Sequence, residues 1–128
     1  MMKLGGILVL SLFFFGLHTD LNAQAKIKLK SKKHQFDKCQ EGDQLACDFT
    51  FTNSGDEPVI ISHYEVECTC TRVDFPKEPI MPGEQGTIHV DFDSTGKMGW
   101  QYRTILLYNN SPKSPVELEI IVKVLNES

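Results

Sequence analysis

The residues of this 128-residue chain best suited to chemistry are its four cysteines, Cys39, Cys47, Cys68 and Cys70. An even number of thiols in an oxidising compartment pairs as disulfides, and four allow three pairings. Cys39 and Cys47 flank the turn Gln40-Glu41-Gly42-Asp43, so adjacent extended segments would set them opposite one another within disulfide reach. That bond is the expected one; unbridged, Cys47 would serve as a small core residue beside Phe49 and Phe51. Cys68 and Cys70 differ, because residues i and i+2 on a straight strand sit about 6.5 to 7 Å apart, at or beyond disulfide reach. A sharp turn at Thr69 would allow a strained disulfide, the labile and regulatory kind. An unbent chain would instead present two thiols to a soft metal such as Cu(I) or Zn(II), and a third arrangement pairs each with a cysteine of the first hairpin. Glu65 and Glu67 oppose thiolate formation there, and Arg72 favours it.

His34, His63, His89, Met81 and Met98 are further soft donors, but no His-x-His or Cys-x-x-Cys spacing ties them together, and His89 alternates outward with Asp91 as a solvated histidine does. No metal or cofactor is therefore expected; the alternative is a site built on Cys68 and Cys70. For catalysis, Asp91 and Asp93 flank Phe92 and Ser94 follows, yet no G-x-S-x-G elbow, Gly-rich phosphate loop, H-E-x-x-H helix or EF-hand loop surrounds them. Surface charge is the better account, and no enzyme is expected.

Recognition has better material. Trp100-Gln101-Tyr102-Arg103, with Lys97 and Met98 beside it, concentrates the residue types that dominate interface energetics. The competing account is that Trp100 lies at a turn and caps the open end of a core. A second feature is the segment 26–33, which holds Lys26, Lys28, Lys30, Lys32 and Lys33 and no acid, whereas residues 34–128 carry 16 acidic against 7 basic groups. As an edge strand its lysines would block edge-to-edge aggregation; as a detachable arm it would touch an anionic surface.

These residues must be positioned by strands. Leu45, Cys47, Phe49 and Phe51 alternate with Ala46, Asp48, Thr50 and Thr52; Ile88, Val90 and Phe92 alternate with Thr87, His89 and Asp91. Val116, Leu118, Ile120, Val122 and Val124 form the clearest alternating row. Weaker strands are expected over 26–36, 58–66, 71–75 and 102–109, where β-branched and aromatic residues predominate. Turn residues separate them at 53–58, 79–84, 93–97 and 109–115. About seven short strands with such punctuation predict an all-β, immunoglobulin-like antiparallel sandwich. The antibody pattern is excluded, since the lone Trp100 follows every cysteine.

At the start, Met1, Met2 and Lys3 precede 14 uncharged residues, Leu4 to Leu17, and Ala23-Gln24-Ala25 supplies a small-x-small site. Residues 1–25 therefore read as a signal peptide, cut after Ala25 or alternatively after Ala23, and 26–128 as one domain. Fourteen apolar residues fall short of the ~20 that span a bilayer. Export to the periplasm or the cell exterior is expected. A net charge of -4 argues against a nucleic-acid partner, and 41% apolar residues with 9 Gly and 6 Pro argue against disorder or collagen.

Glu41-Gly42-Asp43, Phe49-Thr50-Phe51-Thr52-Asn53-Ser54-Gly55, Pro58-Val59-Ile60-Ile61, Cys68-Thr69-Cys70, Lys77-Glu78-Pro79-Ile80, Pro82-Gly83-Glu84 and Phe92-Asp93-Ser94 are the residues that carry a family resemblance. From Phe36 onward the chain resembles the exported bacterial domain of unknown function fifteen-seventy-three, related to PapD-like and Hydin-type sandwiches. That family's cysteine element reads Cys-Gly-Cys; Thr69 departs from it, and a glycine there implies positive φ or a close neighbour. The resemblance implies an antiparallel sandwich outside the cytosol and no established activity. The expected function is a non-enzymatic module, protein-binding or structural, that meets an envelope or secreted protein in the envelope or outside the cell; the alternative is thiol-redox or soft-metal handling by Cys68 and Cys70.

Overall fold

The computed structural model describes residues 23–127, so residues 1–22 of the expected signal peptide 1–25 lie outside the described residues. Nine strands follow in order: β1 Ile27–Leu29, β2 Lys33–Gln35, β3 Cys39–Gln40, β4 Gln44–Asn53, β5 Ile61–Val66, β6 Thr71–Asp74, β7 Gln85–Asp93, β8 Gly99–Asn109 and β9 Val116–Leu125. They form a sandwich of two sheets. The first is ordered β1-β4-β7-β6, and the second β2-β9-β8-β5 with β3 also on β9.

The three alternating rows become β4, β7 and β9, and their inward residues meet between the sheets. Phe51, Phe92, Ile88, Ile105, Leu107, Leu118 and Ile120 are among the largest fully buried side chains. Burying each contributes roughly 1.5 to 3 kcal/mol. Because both sheets offer their apolar rows to one another and polar residues to water, neither is stable alone, and the sandwich is the smallest arrangement that covers both.

The structure corrects the reading in three places. The expected strand over 26–36 is divided: β1 pairs antiparallel with β4, and the chain then crosses to the other sheet, where β2 pairs parallel with β9. Of the five lysines, Lys28 thus lies on an edge strand of the first sheet and Lys33 on one of the second. β3, unanticipated, also runs parallel to β9, so the sandwich is antiparallel except along this margin. β8 begins at Gly99, which takes φ +71°, and Trp100 therefore lies in a strand rather than at a turn.

Candidate functional site

Two surfaces gather the residues singled out by type and spacing. The first is the outer face of β8. Period-two alternation sends Trp100 and Tyr102 outward, 51% and 58% exposed, beside Met98 at 75%. Their rings stack with centroids 6.4 Å apart and planes 29° apart. Lys123, the cross-strand partner of Trp100, holds its ammonium 5.9 Å from the indole centroid. Ile121, opposite Tyr102, is buried. Trp100 is absent from the core cluster, which removes the core-cap account.

Arg103 does not belong to this patch. The same alternation turns it to the other face, where its guanidinium lies 5.7 Å over Phe92 and donates to the Tyr102 carbonyl and the Gln101 side-chain oxygen. Lys97 is half-buried in the preceding turn, its N–H donating to the Ser94 carbonyl at 3.0 Å. Met98, Trp100, Tyr102 and Lys123 make the exposed patch; Lys123 was missed because its role depends on strand pairing.

The second surface is the turn from β5 to β6. Cys68 and Cys70 form a disulfide there, with Cα atoms 5.1 Å apart. The separation is shorter than on a straight strand because the chain bends, with the Thr71 N–H donating to the Cys68 carbonyl at 3.2 Å. No non-glycine residue among those described has positive φ, so Thr69 fits without the left-handed backbone that a glycine would suggest. The Cys70 N–H donates to Cys68 Sγ at 3.2 Å, and Thr71 Oγ1 lies 3.7 Å from Cys70 Sγ. A ring closed across three residues restricts the unfolded chain little: the loop-entropy relation gives about 1.6 kcal/mol, roughly half the value for a 15-residue loop.

The bond expected between Cys39 and Cys47 does not form; both are free and buried. Their turn leads from one sheet to the other instead of closing a hairpin: Cys39 pairs with Val124 on β9, Cys47 with Val90 on β7. Burial first, and the carboxylates of Asp48 and Asp91 second, push the Cys47 thiol up to about 11. At neutral pH it is an unreactive core residue.

The remaining donors are scattered. His63 stacks on Tyr108 with centroids 4.4 Å apart, and His34 meets Phe36 edge-on. On the outer face of the first sheet, His89 Nδ1 lies 2.6 Å from Asp48 and Nε2 3.2 Å from Asp91. The Asp48 hydrogen bond above all holds this imidazolium above the usual histidine range, with Asp91 adding to it. Whatever stability this supplies is full below the ordinary histidine pKa and is lost as pH rises through the raised value; it is small because the ring is exposed. Among the described residues no group of three or more His, Cys, Asp or Glu side chains is placed to hold a metal. The lysine-rich edge borders a groove of about 630 Å³, where Lys26, Lys28, Lys32 and Lys113 surround Ile27 and Val116.

Residues 27–124 match the family described as "Protein of unknown function (DUF1573)". No curated protein matches the sequence. Among solved structures the chain is similar to a protein of unknown function from Porphyromonas gingivalis W83, with TM-score 0.69 and 16% identity over 80% of this chain and 48% of that one. It is also similar to the secreted serine protease VesC from Vibrio cholerae, with TM-score 0.59 and 12% identity over 85% of this chain and 25% of the protease. The ASH/PapD-like domain of human CEP192 gives TM-score 0.63 and 10% identity over 83% of this chain and 89% of that domain. The chain therefore spans 48% and 25% of the first two proteins. At these identities the likeness is one of fold, an immunoglobulin-like sandwich of the PapD-like kind.

Proposed function

The chain belongs to the DUF1573 family of proteins of unknown function, and from that premise we propose that it is an exported, non-enzymatic immunoglobulin-like module that binds an envelope or secreted protein. The observation that carries this reading is the exposed, stacked Trp100 and Tyr102 pair with Met98 and Lys123 around it. Aromatic side chains offer large contact area for little conformational entropy, and a cation beside the indole adds orientation. Trp100→Ala should reduce capture of the partner from a native cell-envelope extract by about 30-fold, the effect of a 2 kcal/mol hot spot. The melting temperature should stay nearly unchanged, because exposed substitutions fall within about 0.5 kcal/mol. Undiminished capture by a folded Trp100→Ala protein would remove the patch from the interface.

Export is part of the same proposal, and the packing around Ala25 supports cleavage after Ala23. Ala25 is 2% exposed and belongs to the core cluster. The Gln24 carbonyl accepts the Asp56 N–H at 3.0 Å, and Gly55 lies so close that any Cβ there would overlap that carbonyl. Cleavage after Ala25 would discard both contacts, whereas cleavage after Ala23 keeps them. The intact mass of the exported protein is expected to correspond to a chain beginning at Gln24; a chain beginning at Lys26 would contradict this choice.

A further inference from the structure

We propose that the Cys68–Cys70 disulfide is an exchange site for the dithiol of a partner protein. Cys68 and Cys70 are each half-buried, and Cys70 also packs against the core cluster. β5 is the terminal strand of the second sheet and β6 that of the first, and the disulfide turn joins them on one side of the sandwich. Among the described residues no strand pairs with the outer edge of β5, so an extended partner segment laid along it arrives at the turn.

Backbone hydrogen bonds also hold the turn. The Thr71 N–H to Cys68 carbonyl bond closes the bend, and the Asp93 N–H donating to the Cys70 carbonyl at 2.9 Å ties its far end to β7. The two sulfurs are also unequal. Cys68 Sγ accepts the Cys70 N–H at 3.2 Å, a donor that stabilises negative charge on Cys68. The Thr71 hydroxyl lies farther from Cys70 Sγ, at 3.7 Å, so Cys68 is the better leaving group and attack falls on Cys70.

In the first step a partner thiolate attacks Cys70 Sγ; the Cys68–Cys70 bond breaks and its electron pair leaves on Cys68. A mixed disulfide now joins Cys70 to the partner. In the second step the partner's other thiolate attacks its own half of that bond, and Cys70 leaves as a thiolate beside the Thr71 hydroxyl. The partner dithiol is oxidised to a disulfide, the Cys68/Cys70 pair gains the two electrons, and the partner's two protons end on Cys68 and Cys70. Cys39 and Cys47, buried and unbonded, do not compete.

The test uses the folded wild-type chain and two synthetic peptides, one carrying Cys-x-x-Cys and the other Cys-x-x-Ser, with iodoacetamide quenching and peptide mapping. The dithiol peptide is expected to become oxidised mole for mole while alkylation appears on Cys68 and Cys70 and not on Cys39 or Cys47. The monothiol peptide should be found on Cys70 at least tenfold more often than on Cys68, with Cys68 alkylated. The melting curve is recorded under the same conditions. Reduction that occurs only where the protein unfolds, or adducts divided evenly between the two sulfurs, would overturn the proposal. It does not depend on the Trp100 patch: either site can fail while the other stands.

Discussion

Replacing Asn53 by Ala is expected to cost about 3 kcal/mol, the loss of three side-chain hydrogen bonds at roughly 1 kcal/mol each. Asn53 closes β4 and is 0% exposed. Its Nδ2 donates to the carbonyls of Glu57 at 2.7 Å and Ile80 at 2.9 Å, and its Oδ1 accepts the Gly55 N–H at 2.9 Å. The Lys26 N–H approaches the same oxygen at 3.5 Å. One side chain therefore joins the approach to β1, the turn after β4 and the loop before β7. Alanine removes every one of these bonds and brings no apolar contact in return. For a domain of about 100 residues the loss lowers the melting temperature by roughly 15 °C or more. Chemical denaturation should show a lower midpoint with an unchanged slope, since the loss lies in the folded state. Ser54→Ala, next door but exposed, should stay within about 0.5 kcal/mol. A cost under about 1 kcal/mol for Asn53→Ala would mean that water takes over its partners and that the hub is not one.

The second large effect is a coupling between Phe51 and Gly86. They are cross-strand partners on β4 and β7, both buried, and any Cβ at Gly86 would overlap the Phe51 ring. Gly86 has no positive φ, so its conformation is open to alanine and only the space is missing. Gly86→Ala must therefore displace the ring, an overpacking cost of about 1 to 3 kcal/mol. Phe51→Ala opens a cavity in the core beside Gly86 and should cost about 3 to 5 kcal/mol. The double variant is expected to be less destabilised than the sum by at least about 1 kcal/mol, because the added methyl enters space the ring has vacated. Four denaturation curves measure this, and strict additivity would show that ring and glycine do not share that space.

Much of the fold was legible in the sequence because burial in a sandwich repeats every second residue. Leu45 to Phe51, Ile88 to Phe92 and Val116 to Val124 write that period directly, and they became β4, β7 and β9. The failures all concern partners. The turn at Glu41-Gly42 looks the same whether the chain folds back on its neighbour or crosses to the other sheet; it crosses, and Cys39 and Cys47 end on different sheets. The lysine-rich segment has one alternation but two strands, because its middle spans the gap between sheets. Arg103 was grouped with Trp100 by proximity along the chain, although a strand sends adjacent odd and even positions to opposite faces. Asn53 read as a turn residue, and its role as a hub depends on Ile80 and Lys26, far away in the chain.

Local chemistry thus settled the all-β class, the inward rows and the turns, since each depends on residues a few positions apart. Pairing, and with it which cysteines bond and which aromatic rings face water, was settled by the assembled sheets. The energy that selects one strand neighbour over another comes from contacts between residues tens of positions apart, and no short stretch of sequence carries it.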